Sequence, residues 1–208
     1  MGATTEEGLR ERKKRATREA IAEAAMELFS ERGFDEVTVA EVAEAADVSE
    51  KTVFNYFPTK EDLVFQPGAS WRQDLIEAVR SRPRGVSIVQ PFRDFTMEHL
   101  DGVESRPVEA TTAVPRLIMG SKSLRDRLFL AWEEEAAILA PVIAEQAGED
   151  DQLIPTIVAR TLAWTHRMIF RTAFTRLLAG ENRDRVVADL RLQANRAYDV
   201  LEQGLRNY

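Results

Sequence analysis

The sequence predicts an all-α fold in which a compact three-helix head, residues 1–60, precedes a larger helical body, residues 61–208. Three observations favour this class. Apolar residues recur at helical spacing from residue 12 to the end, and no segment longer than a few residues alternates with the period of a strand. Glycines, prolines and capping residues then divide this pattern into separate helices.

The first two helices are marked by their ends. A stripe of apolar residues predicts a first helix at about 13–32, and Gly33 suits the left-handed position that follows a helix. The second helix is expected to begin at Thr38, whose hydroxyl can cap it while the Glu41 carboxylate reaches back to the Thr38 backbone. It should end near Ala46.

The third helix is expected at about 50–57, after a tight turn that ends at its capping residue, Ser49. Pro58 stops it, and Thr59 caps a fourth helix together with Asp62. Such an arrangement is typical of a helix-turn-helix, in which two helices share a small apolar core. The residues suited to that core are Val39, Val42, Ala43, Ala46, Val48, Val53 and Phe57.

The body continues the helical pattern. The fourth helix should run to about Arg80, with a bend near Pro67-Gly68, before a break at 81–85. Proline bounds or kinks the later helices, at Pro107, Pro115 and Pro141, because it lacks the N–H that a helix needs. Further helices are expected at about 86–102, 106–119, 122–147, 153–179 and 183–205.

Composition excludes several kinds of site. The chain has no cysteine, which removes disulfides and thiolate metal sites, and its two histidines are too isolated in sequence to predict a metal centre. No apolar run approaches the roughly 20 residues that cross a bilayer, and the N-terminus lacks the apolar core of a signal peptide. We therefore expect a cytoplasmic protein that carries no metal or cofactor and contacts no membrane.

Motifs for catalysis are missing from the sequence. We find no glycine-rich phosphate loop, nucleophile elbow or metal-ligand spacing. The acidic runs at 133–135 and 149–151 are expected to be solvated faces or loops rather than catalytic carboxylates. An enzyme is therefore not the expected function.

Charge is unevenly distributed along this acidic chain, whose formal net charge is −7. Residues 10–18 hold six cations and one acid, whereas residues 19–62 hold three cations and twelve acids. Because phosphate neutralisation supplies most non-specific affinity for DNA, this balance argues against indiscriminate binding. We interpret the six cations, placed before the first helix, as a small basic footprint; a solvated, frayed terminus is the alternative.

The outward face of the third helix is the strongest candidate for an interface. Phe54 is large and apolar on this face, where thymine methyl groups in a major groove would suit it. Tyr56 and Lys60 can hold a phosphate through hydroxyl and ammonium groups, and Thr38 through its hydroxyl and the free N–H groups of a helix N-terminus. Packing against another domain is the alternative. The face consists of Glu50, Lys51, Thr52, Phe54, Asn55 and Tyr56.

The chain resembles the DNA-binding head of the TetR family of bacterial transcriptional regulators in the run RATREAIAEAAMELFSERGFDEVTVAEVAEAADVSEKTVFNYFPTKEDLV. The resemblance covers about residues 13–64 and rests on order and spacing. It includes the AxxLFxxxGF end of the first helix, the Thr-Val-xxx-Ala start of the second and the TVFNYFPTKEDL run. The family often has Gly in the turn where this chain has Asp47, a residue that also tolerates left-handed geometry.

The resemblance implies roles for residues of the head. The expected contacts to base edges are Lys51, Thr52 and Phe54. The expected contacts to phosphates are Thr38, Asn55, Tyr56 and Lys60, with Arg12, Lys13, Lys14 and Arg15 as a basic arm. Glu50 repels phosphate, so its expected role is to accept a hydrogen bond from cytosine or to take part in a local cap.

The resemblance also implies a ligand pocket in the body and a four-helix bundle formed by the last two helices, at about 153–179 and 183–205, with a second subunit. Candidate ligand contacts, which core packing would also explain, are Phe92, Phe95, His99, Met119, Trp132, Trp164, Arg167, Met168 and Arg171. Packing within the same chain is the alternative to a dimer interface for the apolar stripes of these helices. The expected dimer stripes are Ile157, Thr161, Leu162, Met168, Ile169, Ala173 and Leu177, then Val186, Leu190, Ala194, Ala197 and Leu201.

These features predict a ligand-responsive transcriptional regulator, in the first place a repressor, that binds a palindromic double-stranded DNA operator as a homodimer. A small lipophilic or amphipathic effector would release it. A subset of actinobacterial TetR-type regulators with a similar KTVFNYFPTKEDL run is associated with long-chain acyl-CoA. An activator of the same family, and a helical ligand carrier or adaptor that does not bind DNA, are the alternatives.

Overall fold

The computed structural model describes residues 3–65, 70–83, 85–148 and 150–205, and within these ranges it contains ten α-helices and no strand. The predicted all-α class is confirmed. None of the described helices combines the length and apolar character that crossing a bilayer requires. The helices are α1 (Ala3–Arg32), α2 (Val39–Ala45), α3 (Glu50–Tyr56), α4 (Asp62–Phe65), α5 (Ser70–Ser81), α6 (Val89–Ser105), α7 (Val108–Gly120), α8 (Lys122–Ala147), α9 (Leu153–Leu178) and α10 (Arg183–Gly204).

The start of the first helix differs from the prediction. α1 begins at Ala3 rather than near residue 13, so the six cations at 10–18 lie within the helix and not before it. Arg, Lys, Glu and Ala dominate this stretch, and their side chains lose little rotamer freedom in a helix. High helix propensity thus extends α1 beyond the apolar stripe that predicted it.

The region expected as one fourth helix contains two described helices. The reciprocal capping pair forms as predicted: the Thr59 N–H donates to the Asp62 carboxylate, and the Asp62 N–H donates to the Thr59 hydroxyl, both at 3.2 Å. α4 then begins at Asp62, and α5 follows from Ser70. The expected bend at Pro67-Gly68 falls on residues 66–69, outside the described residues.

The chain divides into two compact units. The first unit comprises the described residues up to 65 together with Leu117–Arg125, and the second comprises the described residues of Ser70–Arg116 and those from Asp126 onwards. This division differs from a head at 1–60 and a body at 61–208, because Leu117–Arg125 groups with the first unit. The Ser121 hydroxyl, which is buried, donates to the Asp35 carboxylate at 2.7 Å and fixes this segment within that unit.

The core of the first unit is formed where α1 packs against α2 and α4, and α2 packs against α3. Val42, Ala43, Val53 and Phe57 are buried as the helix-turn-helix pattern predicted, while the other three expected core residues are only half-buried. The Phe29 and Phe34 rings stack 5.0 Å apart at the end of α1. The remaining fully covered apolar residues include Ile21, Ala25, Val37 and Leu63.

The core of the second unit centres on α6, which packs against α5, α9 and α10. Its buried apolar residues recur along α6, α9 and α10 at helical spacing, so each helix turns one stripe inward. Burial of such a stripe, at about 25 cal/mol per Å² of apolar surface, is the main force that holds these helices together. Central members are Phe92, Leu100, Leu162, Leu190 and Tyr198.

Much of the expected dimer stripe belongs to this core. The residues of α9 and α10 that are buried by their own chain are Leu162, Ile169, Ala173, Leu177, Val186, Leu190 and Ala194. As interface residues these seven predictions were wrong, because helical periodicity identifies an apolar stripe without showing which neighbour covers it. The large apolar residues that remain exposed on the same two helices are Leu153, Ile154, Ile157, Trp164, Leu192 and Val200.

Candidate nucleic-acid interface and effector site

Local hydrogen bonds build the helix-turn-helix as the sequence predicted. The Thr38 N–H donates to Glu41 at 2.8 Å, and the Glu41 N–H donates back to the Thr38 hydroxyl at 3.2 Å, which completes the capping box. Ser49 caps α3 by accepting from the Thr52 N–H at 3.1 Å. Asp47 takes the left-handed conformation expected of it, with φ of 52°.

The two faces of α3 differ sharply in exposure. Val53 and the following Phe57 are buried in the first unit, whereas Phe54 keeps 45% of its surface exposed. Lys51 and Asn55 are exposed beside it. An apolar ring held in water between two polar side chains has no role in the core. The outward face of α3 therefore offers both a hydrophobic contact and hydrogen-bonding groups, which base readout in a major groove requires.

Three of the predicted DNA contacts in residues 38–60 already have hydrogen-bond partners. The Thr38 hydroxyl donates to Glu41 at 2.8 Å, and the Thr52 hydroxyl is bonded to Ser49 at 2.8 Å. The Lys60 ammonium donates to the Phe34 carbonyl at 2.6 Å and lies 4.2 Å from the centre of the Phe34 ring. Burial lowers the pKa of Lys60 below its usual value.

Lys51 differs from the other two cations of residues 19–62, a stretch that the structure describes in full. Arg32 is bonded to Glu41 and to the Glu36 carbonyl, and Lys60 is bonded to the carbonyl described above. The Arg32 bond is also the largest cause that lowers the pKa of Glu41 to about 2. Within that stretch Lys51 is the cation without a bonded partner, so its charge is available on the outward face of α3.

The basic stretch of α1 comes close to the end of α3. Arg10, Arg12, Lys13, Lys14 and Arg15 are exposed, and the Arg18 guanidinium lies 4.9 Å from the centre of the Phe57 ring. Residues four apart share one face of a helix. Arg10, Lys14 and Arg18 therefore form a basic stripe along α1 that ends at the residue following α3.

The second unit contains a cluster of histidine and phenylalanine rings between α6 and α9. The Phe95 ring packs at a tilt against His99, with ring centres 4.0 Å apart, and against His166, with centres 5.1 Å apart. The two imidazole rings meet edge to face at 5.6 Å. Phe170 packs against both imidazoles. Two histidines that are far apart in sequence are thus neighbours. We call His99, His166, Phe95 and Phe170 the histidine cluster.

A buried hydroxyl network adjoins the histidine cluster. Thr96 Oγ1 donates to the Phe92 carbonyl at 2.8 Å and is also bonded to Tyr198 Oη at 2.7 Å and to His166 Nδ1 at 2.8 Å. Burial, with His99 and Arg167 nearby, lowers the pKa of His166 to about 3, and burial raises the pKa of Tyr198 to about 12. Both side chains therefore stay neutral near pH 7.

A second aromatic cluster joins α8 to α9. The Trp132 and Trp164 rings meet edge to face at 5.8 Å, and the Arg167 guanidinium lies 4.9 Å from the Trp132 ring centre. Arg167 also pairs with Glu135 at 2.6 Å. The expectation that the run 133–135 is a solvated face was wrong for Glu135, which is buried.

The predicted ligand contacts do not form one group. Phe95 and His99 lie in the histidine cluster, whereas Trp132, Trp164 and Arg167 form the second cluster. Phe92 is fully buried, Met168 is half-buried, and Arg171 is exposed. Met119 lies in the first unit with 57% of its surface exposed.

Sequence reasoning did not find Thr96 or Tyr198, because a lone Thr or Tyr within a helical stripe carries no signal of a bond to a residue far along the chain. The sequence also did not single out His166 or Phe170 as ligand contacts. Their role depends on contacts with α6 that spacing alone does not predict.

A cleft of about 330 Å³ lies between α5 and α6 in the second unit. Phe95 forms part of its wall, and the polar side chains around it include three carboxylates. Its lining includes Asp74, Ala78, Arg82, Val86, Asp94, Phe95 and Glu98. Among the described residues no group of three or more His, Asp or Glu side chains is arranged to hold a metal ion.

Comparisons with known proteins identify the family of this chain. The family model described as "Bacterial regulatory proteins, tetR family" matches residues 21–66. The HTH-type transcriptional regulator TcmR of Streptomyces glaucescens is 29% identical over 182 residues, which span 81% of this chain and 78% of TcmR. The HTH-type transcriptional regulator RutR of Escherichia coli K12 is 40% identical over 160 residues, which span 68% of this chain and 73% of RutR.

The fold is matched over most of the chain as well. The crystal structure of native NalD, the secondary repressor of the MexAB-OprM multidrug efflux pump in Pseudomonas aeruginosa, has a TM-score of 0.58 at 20% identity, over 88% of this chain and 97% of NalD. These relatives are regulators of transcription rather than enzymes. The chain therefore belongs to the TetR family of bacterial regulatory proteins, whose members bind DNA as dimers and respond to small-molecule effectors.

Proposed function

We propose that this protein is a repressor that binds a palindromic operator as a homodimer and leaves it when a small lipophilic or amphipathic effector binds the second unit. The observation that carries the DNA-binding role is the outward face of α3, where exposed Phe54 lies beside the unpaired Lys51 charge. A face of this kind reads bases through a methyl contact and a hydrogen bond. Its place of action is the cytoplasm, where the DNA is.

Each group on this surface has a distinct proposed role. Lys51 and Phe54 contact base edges, with Thr52 beside them, while Asn55 and the half-buried Tyr56 contact phosphates. The basic stripe of α1 extends the phosphate contacts, together with the other cations of the stretch, Arg12, Lys13 and Arg15. Thr38 and Lys60 contribute more to the shape of the surface than to direct contact, because both already bond within the first unit.

The dimer is proposed to form through exposed apolar residues of α9 and α10. Ile157 and Trp164 on α9, and Leu192 and Val200 on α10, are at least half exposed. Large apolar side chains in this position indicate an interface, since burial of each stabilises association by roughly 1.5–3 kcal/mol. A two-fold dimer then presents two recognition helices to successive major grooves about 34 Å apart.

Repression follows from occupation of a promoter-proximal palindrome, and release follows if the effector favours a conformation in which the two recognition helices no longer fit successive grooves. An activator would use the same contacts at a different promoter position. A ligand carrier or adaptor would bind the effector without DNA. Operator binding separates the carrier from the two regulators, and the direction of the transcriptional change in cells separates repressor from activator.

The decisive experiment is to map the bound operator by selection from a random duplex library, and then to measure its affinity for variants at fixed salt. Lys51→Ala and Phe54→Ala should each lose about 1–3 kcal/mol of binding free energy and relax base preference at defined positions. Tyr56→Ala should weaken binding to all duplexes alike. Arg80→Ala on α5 is the control, because it removes one exposed positive charge from the second unit.

Two results would contradict the proposal. If Lys51→Ala and Phe54→Ala kept the full base preference of the unaltered protein, α3 would not be the reading helix. If the folded protein selected no duplex from the library, with or without effector, the carrier function would be favoured. Dimerisation is checked separately by analytical ultracentrifugation, in which Trp164→Glu should sediment as a monomer while Leu130→Glu on α8 stays dimeric.

A further inference from the structure

The protonation of His166 can be deduced from its partner. Thr96 Oγ1 has one proton, which it donates to the Phe92 carbonyl at 2.8 Å. With its proton on that carbonyl, Thr96 Oγ1 accepts from Tyr198 Oη and from His166 Nδ1. A neutral imidazole that carries its proton on Nδ1 leaves Nε2 as a hydrogen-bond acceptor. His166 thus presents a lone pair, not a proton, at Nε2.

His99 has the same tautomer for an independent reason. Its Nδ1 lies 2.8 Å from the Phe95 carbonyl oxygen, which can only accept, so the proton is on Nδ1. In the neutral ring Nε2 is again an acceptor. The structure gives neither Nε2 atom a hydrogen-bond partner among the residues it describes. Two neighbouring acceptors therefore have no donor from the part of the protein that the structure describes.

The surroundings of these atoms are aromatic and partly open. Phe170 packs on both imidazoles, and Phe174 follows it with ring centres 6.0 Å apart. Both histidines and both of these phenylalanines keep part of their surface accessible, whereas Tyr198 beside them has none. Phe95 stacks on both imidazoles and lines the cleft between α5 and α6, so one ring separates the cleft from the histidines.

We propose that the histidine cluster binds a planar aromatic molecule that donates a hydrogen bond, of which a phenol is the simplest example. The donor satisfies Nε2 of His99 or His166, and the ring of the ligand packs among Phe95 and Phe170. This rests on the proposed effector function of the second unit and names the chemical class of the effector. A carboxylate would face two lone pairs, and a plain acyl chain would leave them without a donor.

The test compares two ring systems that differ only in the donor. Binding of 2-naphthol and of 2-methoxynaphthalene to the full-length protein is measured by isothermal titration calorimetry. The methyl ether keeps the aromatic rings and the oxygen but loses the proton, so it should bind at least about tenfold more weakly. 2-Naphthoate, the matching anion, should bind more weakly than the phenol.

Two variants identify which histidine accepts the hydrogen bond from the ligand hydroxyl. His99→Phe keeps an aromatic ring against Phe95 and removes the acceptor, so the preference for 2-naphthol over its ether should fall to a factor of about two or less in this variant or in His166→Gln. Phe129→Leu, an exposed aromatic residue of α8, is the control and should keep the preference. The long-range proton–nitrogen NMR spectrum provides a readout that needs no mutation: the Nε2 resonance of one histidine should shift on addition of 2-naphthol and not of the ether.

The proposal is overturned if both compounds bind equally, if neither binds up to its solubility limit, or if 2-naphthoate or a long-chain acyl-CoA binds better than the phenol. It is also overturned if both histidine variants, shown to be folded by circular dichroism, keep the preference. Because calorimetry requires no DNA, these outcomes are independent of the operator experiment. A protein that binds 2-naphthol but selects no duplex refutes the repressor function alone, and one that selects an operator but ignores 2-naphthol refutes only this inference.

Discussion

The side-chain hydrogen bonds of the two units join residues at different separations along the chain. In the first unit most side-chain bonds that shape the helix-turn-helix join residues three apart, as in the Thr38–Glu41, Ser49–Thr52 and Thr59–Asp62 pairs. In the second unit the central polar bonds join residues 70 to 109 positions apart, from α6 to α9 and α10. The first unit is thus defined by local chemistry and the second by long-range pairing.

This difference has a consequence for function. A DNA-reading surface must hold a fixed backbone geometry, and local caps provide it at low cost in loop-closure entropy. A binding site for small molecules needs polar groups from several helices at one point, and only long-range contacts bring them together. The contrast is not absolute, because Ser121 bonds to Asp35 across 86 residues within the first unit.

The strongest test of the contrast is the buried ion pair of the second unit. Glu135→Ala leaves the Arg167 guanidinium, whose side chain is only 12% exposed, without its carboxylate. The free energy of unfolding should fall by about 3–5 kcal/mol, measured by urea denaturation. Glu133→Ala is the matched control from the same acidic run, because its bond to Arg160 is exposed and should contribute less than about 1 kcal/mol.

A double variant checks the cause of that loss. Glu135→Leu combined with Arg167→Met replaces the pair by apolar side chains and should recover most of the lost stability. If the double variant were as unstable as Glu135→Ala, packing around Trp132 rather than the uncompensated charge would explain the effect.

The next largest effect is expected at the hydroxyl network. Thr96→Val keeps the shape of the side chain but leaves Tyr198 Oη and His166 Nδ1 without their acceptor, so the free energy of unfolding should fall by about 2–3 kcal/mol. Tyr198→Phe removes one bond and leaves no unpaired donor, and should cost about 1 kcal/mol. Equal losses in the two variants would show that the hydroxyl of Thr96 does not organise the network.

The pH dependence of stability provides a third test. Because the pKa of His166 is lowered to about 3, mainly by burial, the unfolded chain binds a proton at this residue below its ordinary pKa of 6.5 while the folded chain does not. The contribution of His166 to the free energy of unfolding is therefore fully present above pH 6.5 and is lost as the pH falls towards 3. The expected loss between pH 7 and pH 5 is about 2 kcal/mol. His166→Gln should remove this contribution from denaturation curves measured across that range. A variant with the same pH profile as the unaltered protein would show that His166 titrates normally.

The smallest effect is expected in the first unit. Ser49→Ala removes the cap of α3 and should lower the free energy of unfolding by about 1 kcal/mol. The change should be local: amide hydrogen exchange should accelerate in α3 and leave α6, α9 and α10 unaltered. Ser30→Ala on the exposed surface of α1 is the control. Faster exchange throughout the second unit would contradict the view that local bonds define the first.

Much of the first unit could be predicted from sequence. The caps at Thr38 and Ser49 and the left-handed Asp47 follow from residue type and spacing within a few positions. The early start of α1 was missed because the prediction followed apolar periodicity, and residues 3–12 have little. The outward position of Phe54 was also predicted, since the opposite face of a seven-residue helix was already occupied by the core.

The second unit was predictable only as a set of helices. The dimer stripes were wrong at Leu162 and Leu190, among others, because a buried stripe looks the same whether its own chain or a second subunit covers it. Glu135 was expected in water for a similar reason, since a run of three acids does not show which member faces a buried arginine.

By itself the sequence determined the helical class, the helix-turn-helix and the two faces of its third helix, because caps, turns and periodicity act between residues a few positions apart. The tertiary structure alone decided that His99 and His166 meet, that Thr96 assigns the tautomer of one of them, and that Lys51 remains the unpaired cation of its region. Those outcomes depend on which helices pack together. Packing is a property of the whole chain that no local pattern contains.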